Sequence, residues 1–357
     1  MSVIGFMKKH LKAKPFQWMW KKYDWIMSKI RAGLHRCKRF FYRLRMRAKT
    51  TKWQSYGEKN ADKRFIVLTS PGENGGLFSS IFYLLVILEY ARKKKYIPVI
   101  DWKNSFVPSV QDAEKKGLEN AWNYFYEQPN DKYSLEEVYQ SKRVIHMTEY
   151  MVDMKKSSLG QLPPYTEENL SYWNRMICTY IKPNAHMEQL VGEARSTIFE
   201  PGKKVLGVGI RAGFRWGQMN KYTLFDGHPV VASCEEYLSI VEEKLREWKC
   251  DYIFLACDDR EYWQKFLAFF GEKCKYIPRA LRHYFHDDIP YLREDPMGYV
   301  EYEGITVRKL AEEYMVETYL LAGCDSLYSC IGGGAQFAYL LNGGKYEHLE
   351  FYNEGLI

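Results

Sequence analysis

Residues 204–229 read KVLGVGIRAGFRWGQMNKYTLFDGHP: an apolar run that ends on Arg211, a second arginine at Arg215, and a closing Asp226-Gly-His228-Pro turn. A guanidinium is a permanently charged fork whose donors fit two phosphate oxygens at once. A buried strand holds its last side chain rigidly, and in open parallel sheets ligands collect beyond the strands' C-terminal ends. A strand-end arginine also occurs simply to meet solvent, so Arg211 gains meaning only from its neighbours in the fold. Two neighbours stand out. Gly332-Gly333-Gly334 separates the apolar run LYSCI from the helical pattern AQFAYLLN. Glycines there free backbone N–H groups at a helix N-terminus, which suits an anion, although three glycines also make an ordinary turn. The run DYIFLACDD ends on Asp258 and Asp259.

These residues need a scaffold that brings strand ends together. The C-terminal half predicts strands over 205–210, 251–259, 274–277 and 327–331. Between them lie helical patterns over 234–248 and 261–270, a long helix from Val307, and a helix after the glycines. Strands alternating with helices argue for a parallel, Rossmann-like sheet. In the N-terminal half, FIVLTS (65–70) predicts a first strand, PGENGG a turn, 78–95 a long apolar helix and 97–100 a second strand. Glycines in that turn let a backbone approach a ligand, which makes Asn74, Gly75 and Gly76 candidate cleft contacts; a plain strand–helix turn is the alternative. The stretch 102–142 is rich in aromatics with little regular pattern. Such rings can stack on sugars, and most are expected in the core. Glu200-Pro-Gly is a turn signal between the halves.

The order of motifs GVGIRAG, HPV, EEYL and IFLACDD resembles the donor domain of fucosyltransferases with a two-domain GT-B-like fold. That superfamily includes α-1,6- and protein O-fucosyltransferases, the Nod-factor fucosyltransferase, and bacterial capsule and cell-wall glycosyltransferases. Further matching stretches are 75–102, 119–145, 170–184 and ETYLLAGCDSLYSCIGGGAQFAYLLN, so the likeness spans most of residues 64–342. It implies an α/β fold of two Rossmann-like domains: a basic helical extension over 1–60, an acceptor-side domain over 61–200 and a nucleotide-sugar domain over 201–357. It implies an inverting, metal-independent transfer of fucose from GDP-fucose to a glycan or polysaccharide, with no cofactor. By the resemblance Arg211 contacts the donor diphosphate, with Arg215 where a basic residue sometimes sits. Ile331, Gly332 and Gly333 match a hydroxyl-bearing phosphate loop, so glycine amides, including that of Gly334, replace hydroxyls. Glu317 matches an acid that reads the guanine edge, and Asp258 and Asp259 fall on the nucleoside side. The chain departs from the pattern at Ala212 and at Phe214, where the family has a second arginine or glycine and an acid. The catalytic base expected from the loop is then Asp226, with His228 two residues on; a mere turn at 226–229 is the alternative. Another GDP- or dTDP-sugar as donor, or a non-catalytic glycan-binding member, stays open.

Charge is unevenly spread. Residues 1–52 hold 16 of the 52 Lys and Arg but one acid, Asp24, a net of +15 in a chain of net +8; the remaining 36 basic and 43 acidic residues leave the body at −7. A nucleic-acid enzyme more often lines its cleft with basic residues, so nucleic acid is not expected as a partner. In residues 1–52 Trp18, Trp20, Trp25, Phe40 and Phe41 interleave with Lys and Arg, which suits an anionic membrane surface. Packing on the body or on another protomer is the alternative. No run of about 20 apolar residues and no signal-peptide core is present, which predicts a cytoplasmic protein at the inner face of the membrane. The eight cysteines lack paired spacing, as in a reduced compartment. His283 and His286 beside Asp287 and Asp288 lack a third firm ligand, and an interdomain or acceptor-side loop is expected there rather than a metal.

Overall fold

The computed structural model describes residues 37, 41, 52–69, 76–104, 115–148, 151–211, 230, 232–283, 299–300 and 306–354. Asn74, Gly75, Arg215, Asp226, His228, His286 and the acids beside it lie outside these residues. In chain order the elements are β1 (Phe65–Thr69), α1 (Leu77–Lys94), β2 (Ile97–Ile100), α2 (Leu135–Val138), β3 (Val144–Thr148), α3 (Glu167–Tyr180), α4 (Ala185–Ile198) and β4 (Val205–Ile210). The chain continues with α5 (Cys234–Glu247), β5 (Tyr252–Cys257), α6 (Arg260–Phe270), β6 (Cys274–Lys275), β7 (Arg282–His283), β8 (Tyr299–Val300), α7 (Val307–Leu321), β9 (Ser326–Cys330), α8 (Gly333–Asn342) and β10 (His348–Tyr352).

The strands make two parallel sheets, ordered β2-β1-β3 and β10-β9-β4-β5-β6, with a small antiparallel β7-β8 pair. The α/β class read from the sequence is the one observed. Strands β4 and β5 are buried at every position, which is why they read as unbroken apolar runs. Along β4 the faces differ. Leu206, Val208 and Ile210 enter a core with Tyr237, Val241 and Ile253. Gly207 and Gly209 face the other way, where a Cβ on Gly207 would meet Leu321 and Cys324 at 3.1–3.2 Å. Glycine at these positions lets α7 and β9 press onto the sheet. The Ser329 hydroxyl donates to the Gly209 carbonyl at 2.7 Å, in space a side chain would take.

The sheets share one core. Its residues run from Ile66 and Leu85 of the first sheet through Trp122 and Trp173 to Phe337 and Leu340 of the second. Strands before and after residue 200 fall into different sheets, but the helices cross that line. Asn174 on α3 donates to the carbonyls of Leu340 and Leu341 at 2.8 and 2.9 Å, and Tyr165 stacks on Tyr339. His186 on α4 meets Glu312 on α7 at 3.0 Å. Helices α3 and α4 start on side-chain caps, Thr166 to the Asn169 amide and Asn184 to the Met187 amide. The aromatic stretch after Trp102 is mainly core: Trp102, Trp122 and Tyr126 are buried, and the Trp122 ring touches the other two. Among the described residues no helix is long and apolar enough to cross a membrane.

Candidate functional site

The order β10-β9-β4-β5-β6 has its turning point between β4 and β9. From β4 the chain builds outward to β5 and β6, then returns to the other side of β4 to lay down β9 and β10. Helices α5 and α8, which follow β4 and β9, pack on opposite faces of the sheet, the arrangement that places a crevice at the strands' C-terminal ends. Arg211 leaves β4 there and Gly332 leaves β9. The Arg211 amide donates to the Cys330 sulfur at 3.3 Å, tying the two strand ends together. Burial pushes the Cys330 thiol up to about 11, so it stays protonated at neutral pH.

The crevice collects positive ends. Gly332 is the N-cap of α8 and Gly76 the N-cap of α1, and neither end carries a side-chain cap hydrogen bond. The two helices meet at their first turns, where a Cβ on Gly333 would lie 3.3 Å from the Phe78 Cβ and 3.6 Å from the Ser79 nitrogen. Two helix N-termini and a guanidinium thus converge at one point. Each N-terminus carries roughly half a positive charge on unused N–H groups. Arg211 itself is one-third exposed, with its guanidinium 5.1 Å from the Tyr314 ring centre and 3.5 Å from an Asp258 oxygen. Tyr314 is wedged by the Phe78 ring at 5.1 Å. Its hydroxyl takes the Gly334 amide, and burial raises its pKa.

Behind Arg211 lies a cavity of about 30 Å³ lined by Arg211, Asp258, Arg279, Tyr314, Glu317 and Gly334 among others. That is room for about two waters, not for a nucleotide. It is a charged underside to the crevice. Arg279 and Glu317 form a close ion pair in which both side chains are about 95% buried. Burial pushes the Glu317 carboxyl up to about 8, against the pull of Arg279 and with a push from Asp258. One turn earlier on α7, Glu313 accepts from the Ala280 amide at 3.0 Å, so two acids of one helix face grip the segment at 279–280.

The structure therefore brings Arg211, Asp258, Glu317 and Gly334 around one cavity. Gly76, Gly332 and Gly333 border the crevice above it. Asp259 does other work: its side chain accepts from the Tyr262 amide at 2.9 Å and caps α6. Ile331 is buried beside the glycines. Arg279 and Tyr314 were not singled out by sequence. The available signal was Glu317 among the apolar residues of the second half of α7, with Glu313 one turn earlier, since a buried acid calls for a cationic partner. Among the described residues no group of three His, Cys, Asp or Glu could hold a metal ion.

No family model and no curated protein matches the chain. Solved structures do resemble its course. The fucosyltransferase NodZ from Bradyrhizobium is 14% identical, with 77% of this chain and 92% of that one covered and a TM-score of 0.43. A mutant of FUT1 from Arabidopsis thaliana in complex with GDP is 9% identical, with 89% and 76% covered and a TM-score of 0.46. POFUT1 in complex with GDP is 10% identical, with 82% and 99% covered and a TM-score of 0.44.

An anion entering the crevice from solvent would meet Arg211 first, then the N–H groups of α8 and α1. Asp258 holds the guanidinium from below, so a ligand oxygen competes with a carboxylate for the same fork. Charge that grows on the anion during a reaction strengthens its side of that competition.

Proposed function

We propose that the chain is a glycosyltransferase that moves fucose from GDP-fucose to a glycan or polysaccharide acceptor, by inversion and without a metal. The observation that carries this reading is the meeting of Arg211 with two uncapped helix N-termini at the turning point of a parallel sheet. Glycosyl transfer leaves a nucleoside diphosphate, whose new charge must be stabilised as the sugar bond breaks. Arg211 takes this role, helped by Arg215 and the amides around Gly332–Gly334 and Gly76. The acceptor hydroxyl must lose a proton, and Asp226 is the base assigned to it, with His228 beside it. Asn74 and Gly75, just before α1 in the chain, are assigned to the same ligand. The motif resemblance supplies the donor; the geometry supports an anion of diphosphate type. Residues 1–52 hold the enzyme on the inner, anionic face of a membrane.

A second reading keeps the reaction and changes the donor to another nucleotide sugar. It is favoured by the burial of Glu317 against Arg279, which occupies the carboxylate expected to read a guanine edge. Thermal stabilisation by GDP, GDP-fucose, UDP and dTDP, with Arg211→Ala alongside, separates the readings. GDP and GDP-fucose should raise the melting temperature, and Arg211→Ala should weaken the affinity roughly 100-fold, as loss of a charge-assisted bidentate contact does. A response to UDP or dTDP alone would replace the donor. Silence to every nucleotide at millimolar concentration would sink the transferase and leave a glycan-binding protein.

A further inference from the structure

Strands β1, β2 and β3 are parallel and in register, so their N-terminal ends share one edge of the first sheet. Their C-terminal ends, with the start of α1, form the opposite edge, which faces the crevice. The N-terminal edge is cationic. Arg64 precedes β1, Arg143 precedes β3, and Arg92, Lys93, Lys94 and Lys95 run from the end of α1 into β2; all six are exposed. Three acids here are engaged: Glu89 pairs with Lys93, Asp62 with Lys63 and Glu58 with Lys142, each at 2.7 Å. Aromatic rings sit among the charges. Trp53 and Tyr90, 45% and 37% exposed, flank Tyr96 with ring centres at 5.5 and 6.1 Å, and the Arg64 guanidinium lies 5.4 Å from the Tyr96 ring.

The same edge receives the N-terminal segment. Gln54 and Val144, at the start of β3, exchange backbone hydrogen bonds of 2.8 and 3.0 Å. The residues that carry +15, 1–52, therefore join the body beside Trp53, at the edge where the body's own arginines and lysines gather, although the body as a whole is at −7.

We propose that this edge is a docking surface for an anionic lipid bilayer, which it engages together with residues 1–52, with the crevice turned away from the membrane. The proposal rests on the reading of residues 1–52 as membrane-facing. Charge complementarity and continuity with that segment identify the occupant. Exposed Trp and Tyr beside Lys and Arg match the headgroup layer, where rings settle and cations meet phosphate. Each basic residue at such a surface strengthens binding about fivefold.

The test uses the full chain and vesicles of phosphatidylcholine, alone or with about one-third phosphatidylglycerol, in a sedimentation assay at low and high salt. The chain should bind the anionic vesicles, less so in salt. An edge variant, Arg64→Gln with Lys94→Gln and Lys95→Asn, should lose binding about tenfold or more with its melting temperature kept. Asparagine suits position 95, whose φ is 56°. Should Arg64→Gln disturb the fold, the two lysine changes alone give the same reading with a smaller loss. A second variant, Arg43→Gln with Arg45→Gln and Arg47→Gln, tests the N-terminal segment separately. Loss in this variant with wild-type binding by the edge variant would overturn the docking edge and leave the segment as the anchor. Loss only in the edge variant would support the edge and remove the segment's role. Binding that ignores lipid charge, or capture of a single-stranded oligonucleotide through Arg64 and Lys94 with vesicles ignored, would overturn the lipid assignment.

Discussion

The two parallel sheets place their charges differently. The second sheet keeps charge inside, at the C-terminal ends of its strands: Asp258 and Glu317 are 3% exposed, and Arg279 is sealed against Glu317. The first sheet keeps its interior apolar and sets charge outside, at the N-terminal ends of its strands. Buried charges lose their hydration and persist only where partners hold them. Exposed ones cost little and act through long-range attraction screened by salt. Substitutions at the two places should therefore fail in different ways, one through stability and geometry, the other through salt-dependent binding alone.

The largest effect should come from Arg279→Met. Above about pH 8, where Glu317 is ionised, it strands that carboxylate in the interior, and removal of one partner of a buried ion pair costs about 3–5 kcal/mol; at neutral pH the protonated acid makes the loss smaller. The double substitution Arg279→Met with Glu317→Leu should recover most of the melting temperature, because an apolar pair of similar volume avoids the desolvation cost. If the recovered protein binds GDP as the wild type does, the pair serves the fold alone. If stability returns and affinity does not, the pair also holds Asp258 beneath Arg211.

Next in size is Gly334→Ala. The added Cβ would lie 2.9 and 3.0 Å from ring atoms of Tyr314, which is itself held between Phe78 and Arg211. Overpacking of this kind costs about 1–3 kcal/mol. Urea titration should show a lower midpoint with an unchanged slope. An unaltered midpoint would mean that Tyr314 swings away freely and does not brace Arg211.

Glu317→Gln probes the same interior through pH. The folded carboxyl titrates at about 8, far above the ordinary glutamate value near 4.3 that applies to the unfolded chain. Between these values the folded state holds a proton that the unfolded state has released. This group's contribution to stability is full below about 4.3 and is lost as pH rises through 8. The wild type should thus melt roughly 5 °C lower at pH 8.5 than at pH 5.5 through this group, and Glu317→Gln should flatten that part of the curve. A parallel decline in both proteins would place the proton elsewhere.

The same contrast decided what could be read from sequence. Strands β4, β5 and β9 are buried on both faces, so mainly apolar runs announced them, with Ser326 and Ser329 the exceptions in β9, and Arg211 stood out as the charge that follows β4. Strands β3 and β10 flank their sheets and carry His146, His348 and Glu350, so their alternation was too weak to separate from loop. Helices α3 and α4 bury only a few residues on a narrow apolar face and are otherwise polar, so the sequence reading did not separate them. The crevice follows from strand order, which local sequence does not contain. Arg279 was illegible because it lies outside every regular element and acquires its partner only when α7 folds over it.

The smallest effect completes the contrast. Lys94→Gln with Lys95→Asn removes two exposed charges from the first sheet's edge and touches no buried group. The Lys94 carbonyl still accepts from Arg64 at 3.3 Å, and the Lys95 amide still closes α1 onto the Ala91 and Arg92 carbonyls, since both are backbone contacts. Unfolding free energy should stay within about 0.5 kcal/mol of the wild type, as for surface changes away from such features. Residue 95 even favours the change, because asparagine tolerates the left-handed backbone better than lysine. A loss above about 1 kcal/mol in denaturant titration would mean that these lysines support the fold. The edge would then resemble the interior of the second sheet in kind, and its charges would need a structural explanation before a lipid one.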